Sequence, residues 1–149
     1  MKVNKEELLK RCVQLIDDKL ENIQQAINSY QQDLNSETKS SAGDKHETGR
    51  AMLQLEMEKL GQQYQTVLSQ KNMLRKIETS PKTKAQIGSL VVANGVYYFL
   101  ASSIGQVKYE EKTFMVISIN SPIGQLLIGK QKDDCFVFNG KQLKIDEVF

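Results

Sequence analysis

The chain has no tryptophan, two prolines, two cysteines and one histidine, and aromatic residues make up only 7% of it. Cys12 and Cys135 lie in different halves and no Cys-x-x-Cys pair exists. That excludes a cysteine-built zinc module and reads as two reduced thiols in a cytoplasmic protein rather than a disulfide framework. No apolar run approaches the ~20 residues that span a bilayer. Met1 to Lys10 is charged and lacks the apolar core of a secretory signal. No charge of one sign dominates: the formal net charge is +2 over 149 residues. Residues 1–80 carry 12 basic and 12 acidic side chains, and residues 81–149 carry 8 and 6. Neither half is a basic nucleic-acid module, and nothing in the charge draws the chain to a membrane.

What is present is periodicity. Leu9, Val13, Ile16, Leu20, Ile23, Ile27, Tyr30 and Leu34 alternate spacings of four and three, the seam of a coiled-coil helix. Leu53, Met57, Leu60, Tyr64, Val67, Lys71 and Leu74 repeat the pattern, with Lys71 the one polar member. A single antiparallel register matches the two runs. It pairs Leu34 with Leu53, Tyr30 with Met57, Ile27 with Leu60, Ile23 with Tyr64 and Leu20 with Val67. Lys71 then falls opposite Ile16, within reach of Asp17. The chain is therefore expected to fold into an intramolecular helical hairpin closing near residues 43 and 44, with arms ~50 Å long at ~1.5 Å per residue.

The break between the arms, residues 35–49, is rich in Ser, Thr and Gly. It holds Asp44 and, three residues on, Glu47. This spacing suits a helix N-cap with its capping-box partner. It also places two carboxylates at the tip of a rigid rod. The Gly43 and Gly49 pair lacks the Gly-Lys-Ser/Thr of a phosphate-cradling loop.

After Thr79-Ser80-Pro81 the period changes. Strands are expected at 88–93, 96–101, 114–119, 135–138 and 142–148, with Asn94-Gly95 and Asn139-Gly140 as hairpin turns. Ser121 suits the N-cap and Pro122 the first position of a short helix. Leu126, Leu127 and Ile128 would form its buried face, and Gly129 would end it. The expected class is α+β. A coiled-coil hairpin occupies residues 1–79 and a linker 80–87. A small antiparallel sheet domain with one short helix fills 88–149.

Over nearly its whole length the chain resembles the bacterial Gre transcript-cleavage factors. The resemblance rests on the order of hairpin and sheet domain, on Ile119-Asn120-Ser121-Pro122-Ile123-Gly124-Gln125-Leu126-Leu127-Ile128-Gly129-Lys130, and on Gly43-Asp44-Lys45-His46-Glu47 at the tip. It implies an FKBP-like sheet domain and a monomeric accessory factor that is not itself an enzyme. It also implies a hairpin that enters the secondary channel of RNA polymerase, its tip near the nascent RNA. Asp44 and Glu47 would help hold a Mg²⁺ ion at the polymerase active site, where the polymerase hydrolyses the 3′ end of backtracked RNA. Mg²⁺ prefers few carboxylates, with water and phosphate oxygens completing its shell. Asn120, Ser121 and Pro122 would lie in the surface that docks on the channel rim. Apart from that Mg²⁺, no cofactor is implied.

Thr48, Arg50 and Ala51 stand where the family usually has Asn, an acid and an aromatic residue, and Asp133-Asp134 replaces a Gly-Asp turn. These departures favour an alternative, a regulator or inhibitor that occupies the channel without stimulating cleavage. A further class is a coiled-coil chaperone or an FKBP-type prolyl isomerase, although the domain is short and shows no Trp-floored pocket, and the matched register of the two arms argues against a structural coiled-coil oligomer.

Overall fold

In a computed structural model, residues 3–38 and 44–149 are described, residues 37, 38 and 44–46 by their backbone only. The chain is an N-terminal helical hairpin followed by a six-stranded mixed sheet with a short helix, an α+β arrangement. Two compact units divide it: residues 15–71, and residues 1–14 together with 72–149.

Helix α1 runs Lys5–Thr38 and α2 runs Asp44–Arg75. Asn4 caps α1: its Oδ1 accepts from Glu7 N at 3.1 Å and its carbonyl from Leu8 N at 3.0 Å. Both helices reach well into the stretch read as a break, so only residues 39–43 separate them, and these lie outside the described residues. Helix α2 ends before Pro81 is reached. It closes with tightened bonds from Lys76 N to Met73 O and Ile77 N to Leu74 O.

Within the unit of residues 15–71, Ile16, Leu20, Ile23 and Val67 are buried, whereas Ile27, Tyr30, Leu34, Leu53, Met57, Leu60 and Tyr64 are half-buried. Two helices alone cannot enclose a seam, so the distal contacts stay partly wet. Lys71 Nζ lies 2.6 Å from Asp17 Oδ1, the partner that the register predicts. In the first turns of α1 the stripe shifts. Leu8 and Cys12 are fully buried, and Leu9 and Val13, the seam residues expected there, are only half-buried. Successive steps of four rotate the stripe around a straight helix, because 3.6 residues complete a turn. This segment belongs to the compact unit that contains the sheet.

The strands are β1 (Leu90–Ala93), β2 (Val96–Leu100), β3 (Gly105–Tyr109), β4 (Lys112–Ile117), β5 (Cys135–Phe138) and β6 (Lys141–Val148). Their order is β3-β4-β2-β1-β6-β5. The sheet is not wholly antiparallel as expected: β2 and β4 run parallel, with Tyr97 beside Phe114 and Leu100 beside Ile117. Strand β3, absent from the sequence reading, supplies the intervening antiparallel edge. Its turn carries no Asn-Gly signal. Instead Glu110 and Glu111 adopt φ of 48° and 63°, a left-handed pair usually given to Asn and Gly. The turns at Asn94-Gly95 and Asn139-Gly140 also have positive φ and join antiparallel strands, as their sequences demand.

The short helix α3 spans Pro122–Leu127. Leu127 joins Val91, Ala93, Leu100, Phe136 and Ile145 in one core, while Phe99, Phe114, Val107 and Val116 are buried on the sheet's opposite face. Ile128 is 40% exposed and does not belong to the buried face expected of it.

Candidate functional site

Asp44 is the first residue of α2 and Glu47 lies in the same first turn. A separation of three residues sets both Cβ atoms on one side of the helix. The positive end of the helix macrodipole favours acids there. Glu47 is exposed; the side chains of Asp44, Lys45 and His46 lie outside the described residues. Among the described residues no group of three or more His, Cys, Asp or Glu could hold a metal ion. Two hard oxygen donors on one helical turn suit Mg²⁺ as a partial ligand set, the remainder coming from water, phosphate or another molecule.

Beside this turn the hairpin carries apolar surface that heptad counting did not reveal. Tyr30, Asp33, Leu53 and Glu56 line a groove of about 510 Å³ together with Met52. Met52 is 65% exposed and Leu55 52%. The spacing of Met52 and Leu55 is helical, but both fall off the seam, and that was the legible signal.

The second predicted cluster is built tightly. Ser121 Oγ accepts from Gly124 N at 3.1 Å and donates to Ser118 O at 2.7 Å. Asn120 N donates to Ser118 Oγ at 3.1 Å. Pro122 opens α3, where its missing N–H costs nothing. A Cβ on Gly124 would sit 2.2 Å from Ser118 O, so only glycine fits. Asn120 and Pro122 are exposed and Ser121 is half-buried. The Ser-Pro-Ile-Gly run is thus a capping device that holds Asn120 and Pro122 at the surface. The tip pair and this cluster belong to different compact units.

One polar residue escaped the sequence reading. Lys5 continues the buried stripe of Leu8, Cys12 and Ile16, and is itself only 6% exposed. Its Nζ donates to Ser80 O and to Gly88 O, each at 2.9 Å. Burial, and then the nearby Lys82 charge, lower its pKa to about 8. Burial pushes the Cys12 thiol up to about 11, while Cys135 is exposed on edge strand β5.

Among the described residues no helix is long and apolar enough to cross a membrane. Neither protein-family models nor curated protein sequences give a match to the chain.

Proposed function

We propose that this chain is a Gre-like accessory factor of bacterial RNA polymerase, acting in the cytoplasm as a monomer. The observation that carries the reading is the exposed Glu47 in the first turn of α2, three residues after Asp44, where the return arm of a long helical hairpin begins. The hairpin works as an antiparallel coiled coil that enters the secondary channel. Asp44 and Glu47 contribute oxygen ligands to a Mg²⁺ ion at the polymerase active site, close to the nascent RNA. That ion, when bound, stabilises charge as the polymerase hydrolyses backtracked RNA. The chain's own part is to position the two carboxylates, so it has no enzymatic activity alone. The sheet, in this reading an FKBP-like domain, docks through Asn120, Ser121 and Pro122. The exposed Met52 and Leu55 support insertion, since such surface on a hairpin arm suits a partner's walls.

Thr48, Arg50 and Ala51 favour a second reading, occupation of the channel without cleavage. Cleavage of nascent RNA in backtracked polymerase complexes tests both. Stimulation that disappears in an Asp44→Ala/Glu47→Ala protein supports the first. Polymerase binding without stimulation supports the second, and absence of binding removes both.

A further inference from the structure

We propose that the free edge of β5 docks on the same edge of a second copy of this chain, as an antiparallel pair centred on Phe136. Strand β5 ends the sheet at one side and β3 ends it at the other, and both lie in the unit of residues 1–14 and 72–149. This inference stands apart from the polymerase reading, since it uses neither the tip nor the α3 cap. An edge as short as Cys135–Phe138 buries far less than the ~1,000 Å² of a stable interface. The pair is therefore reversible, and the dilute chain remains the monomer proposed above.

The phase of the β5–β6 ladder is the central observation. Asn139 and Gly140, with φ of 51° and 77°, make the two-residue turn between these strands. Such a turn makes Phe138 and Lys141 a hydrogen-bonded pair, and bonded pairs then alternate with non-bonded ones along the ladder. Phe136 with Leu143 is the next bonded pair, and the bond from Ile145 N to Asp134 O at 2.8 Å keeps the same phase. Cys135 and Val137 therefore turn their N–H and C=O groups away from β6, and among the described residues no other element bonds to them. At the opposite edge, the Glu110-Glu111 turn sets the phase so that Gln106 and Lys108 face outward. A lysine at that position opposes strand addition. The β5 edge has no such guard: Cys135 is exposed and Val137 is 61% exposed. Their side chains stand on the face away from Phe136, which joins the core.

A second β5 is complementary to this edge. Cys135 and Val137 are two residues apart, so a pair centred on Phe136 sets each Cys135 opposite Val137 of the other copy. Every outward N–H and C=O then finds a partner. Centring on Cys135 or Val137 instead brings in Asp133 or Asn139, whose φ of 75° and 51° takes the chain out of the strand. No like charges meet across the pair. Asp133, held by Lys144, falls opposite Asn139, and Asp134 opposite Phe138. Lys132 falls opposite Gly140, and Lys141 opposite Gln131.

The experiment follows amide shifts of the ¹⁵N-labelled full chain as its concentration rises from tens of micromolar to a few millimolar. The expected result is concentration-dependent shifts centred on Cys135 and Val137, with Gln106 and Lys108 unmoved. Val137→Lys and Cys135→Asp both change exposed side chains, so the fold should be kept. Each should weaken association roughly fivefold, because each change acts twice in a symmetric pair, removing an apolar contact and setting two like charges on one face. Mixed together, the two variants should associate again, since the new lysine of one copy then faces the new aspartate of the other. Three results would overturn the inference. They are shifts that do not change with concentration, shifts centred away from β5, or a mixture that associates no better than either variant alone.

Discussion

Lys71 on α2 reaches Asp17 on α1 across the hairpin, Nζ to Oδ1, at 2.6 Å, and the Lys71 side chain is only 18% exposed. A lysine on an apolar seam is a flaw in isolation. Paired this way its charge is satisfied at the one register that matches both runs. Asp17 is nearly half-exposed, so water screens the pair. A double-mutant cycle of Lys71→Met and Asp17→Asn should give a coupling of about 0.5–1 kcal/mol by urea unfolding. Asp17→Asn alone should destabilise more than Lys71→Met, since it strands a cation on the seam.

The α3 cap makes a sharper prediction. Gly124→Ala drives a Cβ into Ser118 O and should cost about 2 kcal/mol or more in thermal or urea unfolding. Ser121→Ala removes the cap hydroxyl and should cost about 1 kcal/mol. Asn120→Ala, on the exposed surface, should change stability by less than about 0.5 kcal/mol. Loss of polymerase binding in Asn120→Ala at unchanged stability would separate docking from folding.

Lys5 predicts a pH effect of defined sign. Its folded pKa is lowered to about 8 from 10.5, so between those values the unfolded chain holds a proton that the folded chain has released. The Lys5 contribution to stability should therefore rise with pH through this window, by an amount on the order of 2 kcal/mol, while the raised pKa of Cys12 contributes the opposite slope above pH 9. Below pH 8 both states carry the charge, and the rise is absent. Lys5→Met should flatten the curve. A Lys5→Met protein whose pH dependence matches that of the wild type between pH 8 and 9 would refute the assignment.

The two thiols should separate cleanly. Cys135 is exposed and Cys12 is fully buried with its pKa pushed up to about 11. A disulfide reagent at pH 8 should modify one thiol quickly and the other only on unfolding. Cys135→Ser should remove the fast phase entirely.

Much of the hairpin was legible because its signal is local. Spacings of four and three specify which residues face inward, and one antiparallel register satisfied both runs, including Lys71 with Asp17. Asn94-Gly95 and Asn139-Gly140 were equally direct, since each dictates positive φ at a turn. Strand β3 was missed although Gln106-Val107-Lys108-Tyr109 alternates polar and apolar residues, because Glu110-Glu111 carries no recognised hairpin-turn signal to bound it. The parallel pairing of β2 with β4 was hidden for a different reason: which strands neighbour each other depends on the closed sheet.

By itself the sequence determined the helix faces of residues 15–71, the Ser121 cap and the two hairpin turns, because each rests on contacts within a few residues or on one repeating period. Tertiary structure alone decided the strand order and the move of the buried stripe from Leu9 and Val13 to Leu8 and Cys12. It also decided the burial of Lys5 against the carbonyls of Ser80 and Gly88, 75 and 83 residues away. No local pattern can place a lysine in a core. Only partners brought from distant points of the sequence can make that burial tolerable, by replacing the water its charge gives up.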